Sequence, residues 1–238
     1  MKETRVYPHF SSARNPFVIY EQFSESPEGQ AMQHRVRFAS FQGEISNDAW
    51  VRFLGADVNN CEHMRLSIGL TRWFIAVHNS EVPKKDQFDK HEQELLCLAA
   101  GIHDQAEFFV GDIPNPQKTA PNEEEEMRIL KIMIDDRYGS DPSRHTILQE
   151  AVDTVLTHKK TKLGGAFSAI EYIGYMRTAV NAWKKQEITN DQMAKDNLQN
   201  LAIVVKQGDL EKLMQFWDTY PAVQRFLALN QDCIDKIP

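Results

Sequence analysis

The stretch LAAGIHDQAEFFVGDIPNPQK, residues 98–118, ends an apolar run in a cluster of ionisable side chains. Residues three and four apart on a helix share a face, so Glu107 is expected to lie beside His103 and Asp104. Burying such groups costs free energy unless they are paired or bind a cation. Asp112 follows in a loop that two prolines keep extended. The stretch therefore predicts a helix that leaves the core at a polar site, with a solvated helix end as the alternative.

Helical periodicity dominates the rest of the chain. Apolar residues recur at helical spacing between residues suited to helix ends, whereas residues 1–45 fit short strands and irregular segments equally well. The sequence therefore predicts an all-α domain of about seven or more helices. The predicted helices cover residues 59–79, 89–112, 122–139, 143–160, 165–186, 190–207, 209–220 and 221–237.

Composition limits the class of protein. The chain has 238 residues and a formal net charge of -7, which argues against binding to a nucleic-acid polymer or an anionic membrane. Cys61, Cys97 and Cys233 form no CxxC pair, so a zinc knuckle or a disulfide scaffold is not expected. The sequence has no signal-like N-terminus and no apolar run near the ~20 residues that span a bilayer, so a reducing cytoplasm is the expected location.

A histidine on an earlier helix extends the polar cluster. His63 stands near the start of the helix predicted over 59–79, which carries a long apolar face. If that helix packs against the helix that contains His103, the imidazole of His63 can lie beside the His103 imidazole and the Asp104 carboxylate. Imidazole and carboxylate together suit Mn, Fe, Co, Ni or Zn, so this arrangement predicts a divalent-metal site.

Two segments, EHMRLSIGL (62–70) and LLCLAAGIHDQAEFFVGDIPNPQK (95–118), resemble the HD-domain metal-dependent phosphohydrolases. More narrowly, they are similar to the 5′-deoxynucleotidase branch, in which the His-Asp pair is followed by Glu and then by Gly-Asp-aliphatic-Pro-x-Pro-x-Lys. Here those positions are Glu107 and residues 111–118. The resemblance covers residues 60–118, and residues 119–185 with fewer matching positions.

The resemblance implies an HD-domain-like helical bundle with additions at both ends. The metal-binding helical domain would cover residues 46–186. An N-terminal extension would cover 1–45, and extra C-terminal helices over 187–238 would pack on the same domain. These helices exceed what the family core needs, and forming a homodimer is one role for them.

The resemblance also implies one divalent cation, which could be Mn, Co, Mg, Fe, Ni or Zn. Its ligands would be His63, His103, Asp104 and an acid on a later helix. The family has Asp at that last position, whereas the best-matching helix here offers Glu171, with Asp153 as the other candidate. The longer side chain of Glu171 would either shift the metal or act through a bridging water.

Substrate-binding residues are implied upstream of the first histidine, where the family uses an arginine and an aromatic residue. Trp50 stands near the expected distance, with core packing as its alternative role. The residue before it is alanine, so Arg52 is the predicted phosphate ligand, and Arg37 and Arg35 are alternatives. Lys118 would attract the phosphate, unless it is simply a solvated lysine.

These residues together predict a metal-dependent phosphomonoesterase that hydrolyses a nucleoside 5′-monophosphate, deoxynucleotide-like, to nucleoside and phosphate. Glu107 would position or deprotonate the attacking water, and Asp112 would protonate the departing 5′ oxygen or orient the water. The alternative is a non-catalytic HD protein that binds a nucleotide or a protein partner, in which glutamate in place of aspartate has disabled turnover. The expected substrate of the esterase is a small phosphate ester, with a nucleotide as the favoured example.

Overall fold

The computed structural model describes residues 14–55, 58–111 and 119–238. Within these ranges the chain is all-α, as predicted, and strand-like pairing is limited to an isolated antiparallel bridge between Val36 and Asn59. The helices are α1 Pro16–Ser24, α2 Pro27–Met32, α3 Ala39–Gln42, α4 Asn47–Leu54, α5 Asn60–Glu81, α6 Lys90–Ile102, α7 Glu107–Val110, α8 Ala120–Tyr138, α9 Pro142–Ala151, α10 Lys162–Ile188, α11 Gln192–Met214 and α12 Pro221–Ile234. A 3-10 turn covers Lys84–Asp86, and a π-helical turn, Val152–Leu156, continues α9.

Residues 16–24 form the helix α1. The expectation of a short strand or an irregular segment there is therefore wrong. The Asn15 side chain accepts a hydrogen bond from the Phe17 backbone N–H at 3.0 Å, and Pro16 occupies the first helical position. Both features favour helix initiation. Ile19 and Phe23 on this helix are fully buried in the same core cluster as residues of α5 and α6.

The helix predicted over 89–112 is interrupted at the polar cluster. Helix α6 ends at Ile102, and the backbone bonds then tighten: Gln105 N–H donates to Ile102 C=O, and Glu107 N–H donates to Asp104 C=O. These are i→i−3 bonds, typical of a 3-10 turn at a helix end. The short helix α7 follows. His103 and Asp104 therefore lie on a tight turn rather than on a continuous helix face.

The C-terminal part contains one long helix where the sequence predicts two. Gly208 separates the helices predicted over 190–207 and 209–220, yet α11 runs through it to Met214. A glycine inside a helix costs only about 1 kcal/mol relative to alanine. Burial along α11, including Leu198, Leu201 and Leu213, outweighs that cost.

The long helix α10 connects two parts of the core. Ile170 and Ile173 belong to a large cluster shared with α5, α6 and α9, while Ala179 and Ala182 belong to a second cluster with α4 and α11. Among the residues that the structure describes, no helix combines the length and apolar character needed to cross a membrane.

Candidate metal centre

Three elements bring their polar side chains together. His63 lies in the first turn of α5, His103 caps the C-terminus of α6, and Glu171 lies on α10. Ligand atoms of these three residues all lie within 4.8 Å of one another. Both histidines are buried and Glu171 is partly buried. This group can hold a metal ion.

Asp104 adds a second carboxylate to the group. Its Oδ1 lies 3.2 Å from His103 Nε2, and its Oδ2 lies 3.7 Å from His63 Nε2. Glu171 Oε1 lies 3.5 Å from the same His103 nitrogen. The four side chains predicted as metal ligands are thus neighbours, although the His103-Asp104 pair, His63 and Glu171 come from three separate parts of the sequence.

A hydrogen bond to the backbone fixes the ring of His103 in a tautomer that can bind a metal. Its Nδ1 donates a hydrogen bond to the backbone carbonyl of Ala100 at 3.0 Å, because a carbonyl can only accept. In the neutral ring, Nε2 then carries a lone pair, and this buried atom has no hydrogen-bond partner in the described chain. A lone pair that faces two carboxylates is repelled unless a proton or a cation lies between them. Metal-binding histidines usually fix their tautomer by such a bond to a carbonyl or carboxylate.

His63 is held in the opposite tautomer. Arg37 Nη1 lies 2.7 Å from His63 Nδ1, and a guanidinium can only donate, so Nδ1 is the acceptor. The proton of the neutral ring is therefore on Nε2, which lies 3.3 Å from Ser67 Oγ. A metal bound to Nε2 would need that proton removed. His103 is arranged as a ligand, whereas His63 becomes one only after Arg37 moves.

The candidate general base lies beside the group. Glu107 is buried at the start of α7, and Asn60 Nδ2 donates to its Oε2 at 3.4 Å. Arg35 Nη1 donates to the backbone carbonyls of Glu107 and Phe108 at 3.4 and 3.1 Å. Two side chains from other parts of the sequence therefore hold α7 and its carboxylate in place.

A cavity of about 1120 Å³ opens beside the polar group. His103, Asp104, Glu107 and Glu171 line one part of it. Aromatic and aliphatic side chains line other parts, among them Phe41, Phe167, Tyr172, Tyr175 and Val205. The cavity therefore has an acidic part and a less polar part.

Arg37 and Tyr175 form the polar wall next to Glu171. The buried Arg37 guanidinium lies 5.5 Å from the ring centroids of Phe38 and Tyr175. Burial, reinforced by the Glu171 carboxylate, raises the pKa of Tyr175 well above its ordinary value. The phenol therefore stays protonated at neutral pH and is available as a hydrogen-bond donor.

The comparisons add no relative. No protein-family model, curated protein or solved structure matches this chain. Any function assigned to it therefore depends on the chemistry of the site.

Two of the predicted substrate residues, Trp50 and Arg52, do not line the cavity. Trp50 is fully buried and donates from Nε1 to the Arg37 carbonyl at 3.1 Å, so it packs in the core and does not face the cavity. Arg52 is exposed. Among the described residues, Arg37 lines the cavity and Arg52 does not. Lys118 lies outside the described residues, as does the predicted acid Asp112.

Asp153, the other candidate for the fourth ligand, is not a member of the group. Its carboxylate is about half exposed and pairs with Lys131 Nζ at 2.5 Å. Glu171 therefore remains the acid from a later helix that lies beside the two histidines.

The sequence analysis does not single out Glu126 or Asp209, and it gives Arg37 only as an alternative phosphate ligand; all three are buried and line the cavity. Arg37 reaches His63 because the bridge between Val36 and Asn59 joins its segment to the start of α5. No helical spacing encodes that contact. Glu126 belongs to a run of four glutamates that reads as a solvated first turn, and the structure buries this member of the run.

Proposed function

We propose that this chain is a metal-dependent phosphomonoesterase that hydrolyses a nucleoside 5′-monophosphate to nucleoside and phosphate. The observation that carries the proposal is His103, whose ring is fixed by a backbone carbonyl so that Nε2 faces two carboxylates at the cavity wall. The sequence resemblance to HD-domain phosphohydrolases supports the class of reaction.

The proposed cation ligands are His103, Asp104, Glu171 and, after its tautomer changes, His63. Such a mixed set of imidazole and carboxylate suits Mn, Fe, Co, Ni or Zn. A divalent cation held there would lower the pKa of water and offset the charge that develops on phosphoryl oxygens.

Glu107 is the proposed general base. Its carboxylate takes a proton from the attacking water as the new P–O bond forms, and Asn60 keeps one carboxylate oxygen in position. The bond between phosphorus and the 5′ oxygen breaks, and the departing oxygen needs a proton. In this proposal Asp112 supplies that proton.

Arg37 is the proposed phosphate ligand. A guanidinium offers parallel N–H donors that match phosphate oxygens, and it stays charged at every physiological pH. Arg37 already lines the cavity beside the acidic group. Once it leaves His63, the same side chain can donate to the substrate.

Phosphate release from a panel of 5′-monophosphates, with Mn²⁺ or Co²⁺ added to the purified chain, tests this function. The wild type should release phosphate, and His103→Ala and Asp104→Ala should each reduce release by at least about a thousandfold without unfolding the chain. His91→Ala is the matched control, because His91 is exposed and pairs with Glu150 on the surface. Its activity should match the wild type.

Two observations favour a second candidate, a non-catalytic protein that binds nucleotide in this cavity. Glutamate stands where the resembled family has aspartate, and Arg37 occupies one nitrogen of His63. If the wild type binds 5′-monophosphates and releases no phosphate with any of the candidate metals, the esterase is excluded and this reading replaces it.

A further inference from the structure

The cavity is larger than a phosphate and its ligands require. Its volume of about 1120 Å³ exceeds the range of roughly 300–1,000 Å³ that is usual for small-molecule sites. Part of its wall comes from α11, through Val204, Val205 and Asp209. That helix follows the segment that resembles the phosphohydrolases, so it adds a binding surface beyond the residues implied by the resemblance.

Asp209 is the unusual member of this wall. It is only 6% exposed and lies one helical turn after the buried Val205. A buried carboxylate is costly unless its oxygens are bonded. Lys212 Nζ donates to Oδ1 at 3.2 Å, while Oδ2 accepts no hydrogen bond from the part of the chain that the structure describes. Burial raises the pKa of Asp209, which agrees with incomplete solvation of the carboxylate.

The surroundings of Asp209 connect it to the candidate metal centre. The ammonium of Lys212 also lies 5.6 Å from the ring centroid of Tyr172. Tyr172 follows Glu171 on α10, and both line the cavity together with Asp209. A ligand whose phosphate lies at the metal centre can therefore extend along one continuous surface to Asp209.

We infer that Asp209 recognises the base of the nucleotide through adjacent N–H donors, and that the preferred base is guanine. This inference depends on the proposed function for the phosphate end of the substrate. A carboxylate presents two acceptors side by side and pairs best with two parallel donors. Among the common bases, guanine offers such a pair on one edge, its ring N1–H and its 2-amino group. Tyr172, Val204 and Val205, which line the same cavity as Asp209, suit a flat ring better than a hydrated sugar.

The test compares guanosine and inosine 5′-monophosphates, which differ only by the 2-amino group. With Mn²⁺ and the full chain, kcat/KM should be about tenfold to a hundredfold higher for the guanosine ester, as expected for a hydrogen bond to a charged group. Asp209→Asn should bring the ratio close to one, because asparagine keeps a single acceptor oxygen. The variant should slow hydrolysis of the guanosine ester more than that of the inosine ester, since both bases share only the N1–H donor. Asp196→Asn is the control, because Asp196 is exposed on the same helix.

Binding of the nucleosides themselves separates this inference from the esterase. Guanosine and inosine lack the phosphate, so calorimetry without metal measures the base site alone. Preferential binding of guanosine that Asp209→Asn removes supports the inference even if no ester is hydrolysed, in which case only the proposed function fails. The inference is overturned if an active wild type has equal kcat/KM for the two esters, or if Asp209→Asn keeps the wild-type preference. Either result leaves the proposed esterase activity intact. A chain that binds neither nucleoside and hydrolyses neither ester rules out both.

Discussion

Arg37 Nη1 lies 2.7 Å from His63 Nδ1, and this contact sets the state of the candidate metal centre. The guanidinium donates, so His63 keeps its proton on Nε2, the nitrogen that lies near Asp104. His103 has its proton on Nδ1. Two neighbouring imidazoles, with ring centroids 5.3 Å apart, are thus held in opposite tautomers. A cation bound by both Nε2 atoms must displace Arg37 from its present position.

The first prediction concerns those tautomers. Nitrogen-15 NMR of the metal-free protein should show His63 protonated on Nε2 and His103 protonated on Nδ1. Addition of Zn²⁺, which is diamagnetic, should move the His63 proton to Nδ1 and leave His103 unchanged. His158, an exposed histidine outside the predicted ligand set, serves as the internal reference. An unchanged His63 spectrum under saturating Zn²⁺ would exclude it as an Nε2 ligand.

Arg37→Gln is predicted to strengthen metal binding. The variant removes a charged donor that competes for His63, so the Kd for Mn²⁺ or Zn²⁺ measured by calorimetry should fall about tenfold or more. The same change removes the proposed phosphate ligand, so KM for a 5′-monophosphate should rise. Arg35→Gln is a useful comparison, because Arg35 donates to backbone carbonyls of α7 and, within the described residues, makes no hydrogen bond with His63. It should leave metal affinity within about twofold.

Periodicity predicts the elements of this fold better than it predicts their ends and contacts. The apolar faces of α5 and α10 are visible in sequence. The sequence predicts that His63 and His103 meet only on the condition that their two helices pack together. The break after Ile102 was not visible, because the turn is set by tertiary contacts around α7. The contact between Arg37 and His63 joins residues 26 positions apart through an irregular segment, and no periodic pattern encodes it.

Glu171 is predicted to be a cation ligand despite its extra methylene group. Glu171→Gln removes its charge with almost no change in volume and should weaken Mn²⁺ binding at least tenfold in a calorimetric titration. Glu171→Asp restores the acid that the resembled family uses and should recover most of the affinity. Asp153→Asn is the matched control and should bind Mn²⁺ like the wild type, since Asp153 pairs with Lys131 on the surface. Equal affinity in Glu171→Gln and wild type would remove Glu171 from the ligand set.

Asn60 is predicted to position the general base. Asn60→Ala removes the donor at 3.4 Å from Glu107 Oε2, so the carboxylate loses a fixed orientation. We expect kcat to fall about tenfold with KM changed less than threefold, whereas Glu107→Gln should reduce kcat far more. The pH profile of kcat separates the role of Asn60 from a purely structural one. Loss of a positioning bond should shift the acidic limb of the profile, and a general loosening of the fold should lower the whole curve without moving it.

Stability should decline as the pH falls through the range in which His78 would titrate in the unfolded chain. Burial lowers the pKa of His78, whose ring stacks on Phe74 and contacts Phe88 and Tyr220. In the unfolded chain the same group titrates near about 6.5. Below that pH the unfolded state binds more protons than the folded state, so the free energy of unfolding decreases as pH falls and is unaffected by this group well above it.

His78→Phe isolates that contribution, because phenylalanine fills the same aromatic pocket and cannot bind a proton. Urea unfolding at pH 7.5, 6.0 and 5.0 should show a smaller loss of stability toward low pH in this variant than in the wild type. His158→Phe removes an exposed histidine and should retain the wild-type dependence. A buried neutral imidazole is protonated as the chain unfolds at low pH, so His78 should add to the acid sensitivity of the wild type. If His78→Phe and wild type instead lose stability in parallel between pH 7.5 and 5.0, the acid sensitivity comes from other groups.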